Sequence, residues 1–418
     1  MMNKTRISDL AIFGGPPLFS QKLHVGRPNI GDRKRLMERI DQVLDTRWLS
    51  NDGPFVTEFE SRIGDYVGVK HCVAMCNATI ALEIAIKALG LSGEVIIPSF
   101  TFVATAHALQ WQEITPVFCD IDPKTHNIDP ARVEELITPR TTGIIGVHLW
   151  GRPCDIESLQ AIASRHNLKL LFDSAHAFGC SYKGQMVGKF GDAEVFSFHA
   201  TKFMNSAEGG AVVTNDAALA RKIRLMKNFG FTNYDEVGYV GTNGKMSELS
   251  AAVGLTNLES VSDVIDVNRR NYDRYRVGLA QTRGLEVTTY DPRERFNYQY
   301  VVVTLDPNIG ISRDELQQVL WAENVLARRY FYPGCHRLAP YSSENRSAPV
   351  SLPETEKLTK IVLTLPSGTS VTTADIEAIC ETIRFVMSRA DKVGARLKSL
   401  DLQASGPGLV ARATSKTN

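Results

Sequence analysis

The sequence predicts an α/β fold: a mostly parallel sheet covered on both faces by helices, followed by a smaller C-terminal α+β unit. Three observations carry this. Between residues 71 and 214, short runs rich in Val, Ile and Leu alternate with helical runs, the pattern of strands buried on both faces. Polar, chemistry-bearing residues follow several of these strands directly, at the carboxyl ends where such sheets place their ligands. Past residue 255 the texture changes to long polar helices and fewer strands, and 418 residues is too long for one simple core.

Residues 1–32 are rich in Gly and Pro (Gly14-Gly15-Pro16-Pro17, Arg27-Pro28-Asn29) and read as an arm. Helical spacing of Leu36, Ile40, Val43 and Leu44 follows, with Asp32 as the N-cap. A turn-rich loop, Trp48 to Pro54, leads into a helix carrying Phe55, Phe59 and Ile63. Seven strand-like runs come next, at 71–75, 94–97, 115–119, 143–149, 168–172, 195–198 and 211–214, with helical runs at 80–89, 131–136 and 156–166. A long polar helix over 260–279 bridges to a unit with a strand at 298–305, a helix at 313–323 and a final helix at 374–388. The expected division is an arm (1–32), a large domain (33–258), a small domain (259–402) and a flexible tail (403–418) that is small and polar.

Composition excludes more than it selects. A net charge of +1, with no basic stripe and no zinc-ligand spacing, argues against a nucleic-acid binder. No apolar run reaches the roughly 18 residues needed to span a membrane, and no signal peptide is evident. Seven scattered cysteines without a Cys-x-x-Cys pair read as reduced thiols and hence cytoplasm.

One lysine stands out. Lys202 sits in a turn between the apolar run ending Phe196-Ser197-Phe198 and the run Gly210-Ala211-Val212-Val213. A lysine held between core strands is costly unless it is paired or neutralised, and one use for it is a Schiff base with an aldehyde. Taken alone, the plainer reading is a surface lysine in a hairpin. Asn77-Ala78-Thr79 starts a helix, whose free N–H groups suit a phosphate but whose residues also suit a simple cap. Asp173 ends a buried strand, where it needs a partner; a carboxylate beside a pyridine nitrogen keeps that nitrogen protonated, and a structural salt bridge is the alternative. Phe102 could stack on a flat ring or belong to the core, and Ser197 could reach a phosphate near Lys202. The loop from Gly241 to Glu248 could supply a polar group across a subunit boundary or merely begin a helix.

Together these stretches resemble the nucleotide-sugar aminotransferases, the DegT-type branch of the fold-type I pyridoxal-phosphate enzymes. The resemblance runs in order from about Ala11 to Ile383. It includes Trp48-Leu49-Ser50, Pro98-Ser99-Phe100-Thr101-Phe102, Val147-His148-Leu149-Trp150-Gly151, Phe172-Asp173-Ser174-Ala175-His176, the Lys202 run and Gly241-Thr242-Asn243-Gly244-Lys245-Met246. It implies pyridoxal 5'-phosphate as cofactor, with Lys202 as the lysine that binds it and shuttles protons. Asp173 would pair with the ring nitrogen, Phe102 would stack on the ring, and Ala78, Thr79 and Ser197 would hold the phosphate. His176 stands near the phenolic oxygen, where many members have glutamine. Asn243 would complete the phosphate site of a partner subunit, so the resemblance implies a homodimer with shared active sites. His148, Lys245, Tyr332 and His336 are implied as candidates for the sugar-nucleotide pocket. The implied substrates are a nucleotide-linked keto sugar and L-glutamate. The variants at residues 172–177 and 241–246 look most like enzymes making dTDP-4-amino-4,6-dideoxyglucose. GDP-linked, UDP-linked and 3-keto sugars are the alternatives, and a non-catalytic regulator that keeps the fold is the remote one. The last is disfavoured by the intact Lys202, Asp173 and Ser197.

Overall fold

The structure, a computed structural model, describes residues 4–342 and 351–399. The expected tail from residue 403 lies outside them. The large sheet has seven strands, β1 (His71–Met75), β2 (Glu94–Pro98), β3 (Thr115–Cys119), β4 (Thr141–Val147), β5 (Lys169–Asp173), β6 (Ala193–Ser197) and β7 (Gly210–Thr214). Their spatial order is β1-β7-β6-β5-β4-β2-β3, and β7 alone runs against its neighbours, opposite Ser197 at Gly210 and Met75 at the same residue. Every strand residue of β2, β6 and β7 is buried, as strands covered on both faces must be. On one face pack α2 (Ala78–Leu89) and its neighbours, through Leu82, Ile86 and Val212; on another, α1 (Pro54–Val67) packs Phe59 and Ile63 against Phe196 and Phe198.

Each predicted strand is present, with informative shifts at its ends. The run at 143–149 is displaced to 141–147, because His148 leaves extended geometry and Trp150 adopts φ +54 in a short turn. The run at 298–305 begins only at Val301, since Tyr298 has φ +49. Asp32 does cap its helix, accepting from the amides of Lys34 and Arg35. The helix expected to be the last, Thr373–Met387, is followed by another over Ala390–Ser399, so that expectation is corrected. Ser388 and Arg389 interrupt the helical run, which made the first helix look terminal.

Beyond the large sheet, α3 (Val261–Leu279) packs Tyr272, Tyr275 and Leu279 against Ile376, Ile379 and Ile383. The smaller sheet is antiparallel: β8 (Leu285–Val287), β9 (Val301–Leu305) and β10 (Val362–Leu365), with β9 central. The N-terminal segment joins this core through Leu10 and Phe19. Buried Glu323 pins it, accepting from the amides of Ala11 (2.8 Å) and Leu18 (2.7 Å) and pairing with Lys4 at 2.9 Å.

The sheet presents Asn77, Ser99, His148, Asp173 and Ser197 at or just past the carboxyl ends of β1, β2, β4, β5 and β6. Gly210 lets these ends close up: a Cβ there would come within 2.5 Å of the Ala78 amide nitrogen, so only glycine allows β7 to lie against the start of α2.

Candidate active site

A cavity of about 570 Å³ opens at those strand ends. Ala78, Thr79, Phe102, Asp173, His176, Ser197 and Lys202 all border it. Seven of the residues singled out from sequence, separated by up to 124 positions (202 minus 78), therefore meet in one place.

The Lys202 turn is built by β6 and β7. Phe198 donates its amide to the Gly209 carbonyl, Lys202 donates its own to His199 O at 2.8 Å, and Ser206 returns to Phe198 O. Three asparagines tie the turn down: Asn257 donates to Asn205 O, Asn205 to Asn29 O, and Asn29 to Phe203 O, at 2.7–3.0 Å. The Lys202 ammonium makes no hydrogen bond or ion pair among the described residues. Burial therefore lowers its pKa to about 8, against a smaller raising effect from Asp173. About a tenth of the amine is therefore free at pH 7, far more than for an ordinary lysine.

Asp173 is 6% exposed. Its Oδ2 accepts from the Thr105 hydroxyl at 2.8 Å and its Oδ1 from the Ala175 amide at 3.1 Å. Burial raises its pKa, and those two donors oppose the rise. Thr105 is within hydrogen-bonding reach of the Thr101 hydroxyl at 3.0 Å, and Thr101 also borders the cavity. The carboxylate is thus fixed in direction while lacking, among the described residues, a buried cation partner, the state that a protonated heterocycle would relieve.

His176 has a defined tautomer. The Trp150 amide donates to its Nδ1 at 3.2 Å, so in the neutral ring the proton sits on Nε2. Burial pushes its pKa well down, and Lys202 reinforces this, so the ring is neutral. It stacks on Phe331 at 5.9 Å and contacts Tyr300 at 4.7 Å.

At the start of α2, Asn77 caps the helix by accepting from the Ile80 amide at 2.9 Å. The amides of Ala78 and Thr79 donate to no described group, which leaves two N–H donors and the positive end of the helix beside the Ser197 hydroxyl. Phe102 is 57% exposed in the cavity wall, an apolar ring with one face uncovered.

Five expected residues do not border this cavity. His148 is fully buried, with Nδ1 accepting from the Cys154 amide and Nε2 3.5 Å from Glu194, so it cannot touch a ligand there. His336 is 4% exposed and bonded to the Ser99 hydroxyl at 2.6 Å and to Glu356. Neither borders the cavity, so both are corrected as direct contacts: His148 is closed into the core with Nε2 lacking a hydrogen-bond partner among the described residues, and both His336 nitrogens are hydrogen-bonded internally. Tyr332 faces outward beneath the guanidinium groups of Arg329 and Arg313. Asn243 and Lys245 lie on an outer loop, where Lys245 Nζ donates to Asn243 Oδ1 at 2.7 Å.

Sequence reasoning missed Tyr300, Tyr330 and Phe331, which form an aromatic wall, and His199 and Glu208 at the rim. The aromatic run Tyr330-Phe331-Tyr332 is the signal for them in the sequence, and its third member faces outward.

The description "DegT/DnrJ/EryC1/StrS aminotransferase family" matches residues 31–384. The chain is 38% identical to a dTDP-4-amino-4,6-dideoxy-D-glucose transaminase of Shigella dysenteriae, over 87% of this chain and 99% of that one. It is 35% identical to a GDP-perosamine synthase of Caulobacter vibrioides, over 88% and 98%. Among solved structures it is similar to DesI in the presence of its TDP-sugar product, with a TM-score of 0.90 and 51% identity, covering 94% of this chain and all of that one.

The Lys202 pKa gives a stability test on cofactor-free protein. Its folded value of about 8 lies below the ordinary 10.5. Between those values the unfolded chain holds a proton that the folded chain has shed, so stability rises with pH across that window. Below it both states are protonated and the full penalty of the buried charge applies. Lys202→Met is expected to exceed wild type by about 1–3 kcal/mol at pH 7, the partial exposure of the lysine being discounted. The difference should shrink as pH rises toward 10.5 in urea unfolding. A gap that does not change between pH 7 and 10 would contradict the burial of this charge.

Proposed function

The chain belongs to the DegT/DnrJ/EryC1/StrS aminotransferase family, and from that premise we propose that it aminates a nucleotide-linked 4-keto-6-deoxyhexose, with L-glutamate as donor. The favoured substrate is dTDP-4-dehydro-6-deoxyglucose, and the product is the 4-amino-4,6-dideoxy sugar. The observation that carries this choice is the 51% identity, over 94% of the chain, to DesI with its TDP-sugar product.

The cofactor is pyridoxal 5'-phosphate, and the residues present fit it. Two undonated amides at a helix start suit a phosphate, a directed buried carboxylate suits a pyridinium, and an uncovered Phe102 ring suits a flat heterocycle. Ala78, Thr79 and Ser197 would hold the phosphate, Asp173 the ring nitrogen, Phe102 the ring face, and Lys202 the cofactor itself through Nζ. Bound there, the cofactor supplies an electron-withdrawing ring that spreads the negative charge left when a carbon beside nitrogen loses its proton.

The chain's own groups do the rest. Lys202, with its pKa lowered to about 8, can accept a proton at Nζ and return it on the same face. Asp173 keeps its charge aimed by Thr105 and Ala175. His176 offers a fixed Nε2–H, and Tyr300, Tyr330 and Phe331 line the cavity with an aromatic wall.

The proposal includes a homodimer. Lys202 is the sole lysine or arginine among the described residues bordering the cavity, yet nucleotide sugar and glutamate are both anions. The outer loop carrying Asn243 and Lys245 adjoins exposed apolar residues, among them Phe229 (46%), Val240 (79%), Trp48 (51%) and Leu49 (53%). A second copy covering them would bring Asn243 and Lys245 of the partner subunit to the cavity. Seven cysteines without disulfides suit a reducing cytoplasm, and among the described residues no helix is long and apolar enough to cross a membrane.

Offered dTDP-, UDP- and GDP-linked 4-keto sugars and a dTDP-linked 3-keto sugar with glutamate, the enzyme is expected to turn over dTDP-4-dehydro-6-deoxyglucose with the highest kcat/KM. NMR of the product should place the amine on C4. Preference for a GDP sugar, or an amine on C3, would overturn the substrate assignment. For the dimer, Lys202→Ala and Asn243→Ala chains, each inactive alone, should regain partial activity when mixed, since a hybrid contains one site free of both changes. No recovery despite demonstrated subunit exchange would remove Asn243 from the partner's site.

A further inference from the structure

A second cavity, of about 400 Å³, lies between the loops after β3 and β4 and the smaller sheet with the helix Pro353–Ile361. It shares no lining residue with the first. Arg152 lines it in an unusual electrostatic state. The guanidinium is partly buried and, among the described residues, has no carboxylate within ion-pair distance and donates one hydrogen bond, to the Lys124 carbonyl at 3.3 Å. Burial lowers even this arginine's pKa. An arginine has five N–H donors, and leaving most of them undonated in a desolvated place is costly unless a ligand uses them. Lys124 and Lys357 border the same space, also without ion-pair partners among the described residues.

The remainder of the lining narrows the chemistry. Ile121, Leu358 and Ile361 give an apolar surface, and Thr288, Thr289 and Thr304 give hydroxyls. Glu286 and Glu354 also border the cleft and pair with none of the three cations, so the site is mixed rather than uniformly basic. Buried His126 Nδ1 has no hydrogen-bond partner among the described residues. Its pKa is lowered to about 4, chiefly by burial and then by Arg152, so the ring is neutral. A bare anion would satisfy the cations and leave the apolar patch and the acceptors unused. A nucleotide would use all of them, with its phosphoryl on the cations, its base on the apolar patch, and its N–H and O–H groups on the acceptors.

The cleft is also wired to the first cavity. Asn127 donates to the carbonyls of Arg152 (3.0 Å) and Pro153 (2.9 Å) and accepts from the Leu149 amide, which makes residues 149–153 a fixed strap. In that strap Trp150 meets the His126 ring edge-on at 5.6 Å, and its amide holds Nδ1 of His176. A group seated on His126 and Arg152 therefore presses on the segment that orients His176.

We propose that this cleft is an effector site that takes the phosphoryl group of a nucleotide on Arg152, Lys124 and Lys357, and that its occupancy is transmitted to His176 through the Trp150–Arg152 strap. The transmission to catalysis rests on the proposed function; the binding does not.

The test uses holoenzyme with its active site saturated by the amino-sugar nucleotide product, titrated calorimetrically with thymidine 5'-monophosphate, inorganic phosphate or thymidine. One further site per chain for the monophosphate is expected, weakened ten-fold or more in Arg152→Gln and in Lys357→Gln, with thymidine silent. Lys357 lies exposed on its helix, so that variant remains informative if Arg152→Gln folds poorly. Lys357→Gln, which lies outside the strap, should keep the kcat of wild type without effector. Absence of a second site, or a second site unchanged in both variants, would overturn the proposal. Phosphate binding as tightly as the monophosphate would overturn the nucleotide as ligand. For transmission, the monophosphate should alter KM or kcat in wild type but not in Arg152→Gln; an equal effect in both would overturn the strap.

Discussion

Everything at the main site follows from one electrostatic constraint: a half-buried lysine and a buried aspartate are drawn out of water without forming an ion pair with each other. Among the described residues Asp173 is hydrogen-bonded but has no buried cation against it, and the Lys202 ammonium has no hydrogen-bond or ion-pair partner. A contact ion pair would have been the cheaper arrangement for the isolated chain. Keeping the two charges apart instead leaves a gap whose chemistry is already specified at both ends, for a group with a cationic ring nitrogen and an electrophilic carbon.

Holding such a gap open requires stiffness around it. The asparagine relay from residue 257 through 205 to 29 anchors the Lys202 turn to two distant segments. Beneath Asp173, fully buried Glu194 accepts from the Ser174 hydroxyl at 2.5 Å and from the amides of Gly188 and Phe190, fixing the turn whose Ala175 amide directs the carboxylate. Gly210 allows the start of α2 to approach the sheet. The energetic tension is local and the restraint is spread across the fold, as expected where a native structure tolerates strain for function.

Much of this was legible in the sequence because its causes are local. Buried parallel strands announce themselves as apolar runs, and the rule that ligands gather at their carboxyl ends selects Asp173, Ser197 and the start of α2 without any knowledge of packing. The resemblance then assigned roles to those positions. What escaped has a non-local cause. Tyr300, Tyr330 and Phe331 reach the cavity from the smaller unit, more than a hundred residues after β5, so no pattern near the strands points to them. His148 and His336 follow strand ends or lie in a functional-looking stretch, yet each ring is turned into the interior. A histidine's side of its backbone is decided by partners that sequence does not display. The shift of β4 by two residues has the same origin, since the left-handed Trp150 is a property of the loop's packing.

The central claim is that Lys202 and Asp173 form the two poles of one cofactor site, and visible absorbance on adding pyridoxal 5'-phosphate to cofactor-free protein tests it most directly. Wild type should acquire the band of a lysine-bound cofactor. Lys202→Ala should lack that band while still retaining the cofactor through gel filtration, because the phosphate and ring contacts proposed for Ala78, Thr79, Ser197 and Phe102 would remain. Asp173→Asn should form the band with cofactor affinity weakened ten-fold or more. A wild type that stays colourless, or a Lys202→Ala protein with an undiminished band, would contradict the account.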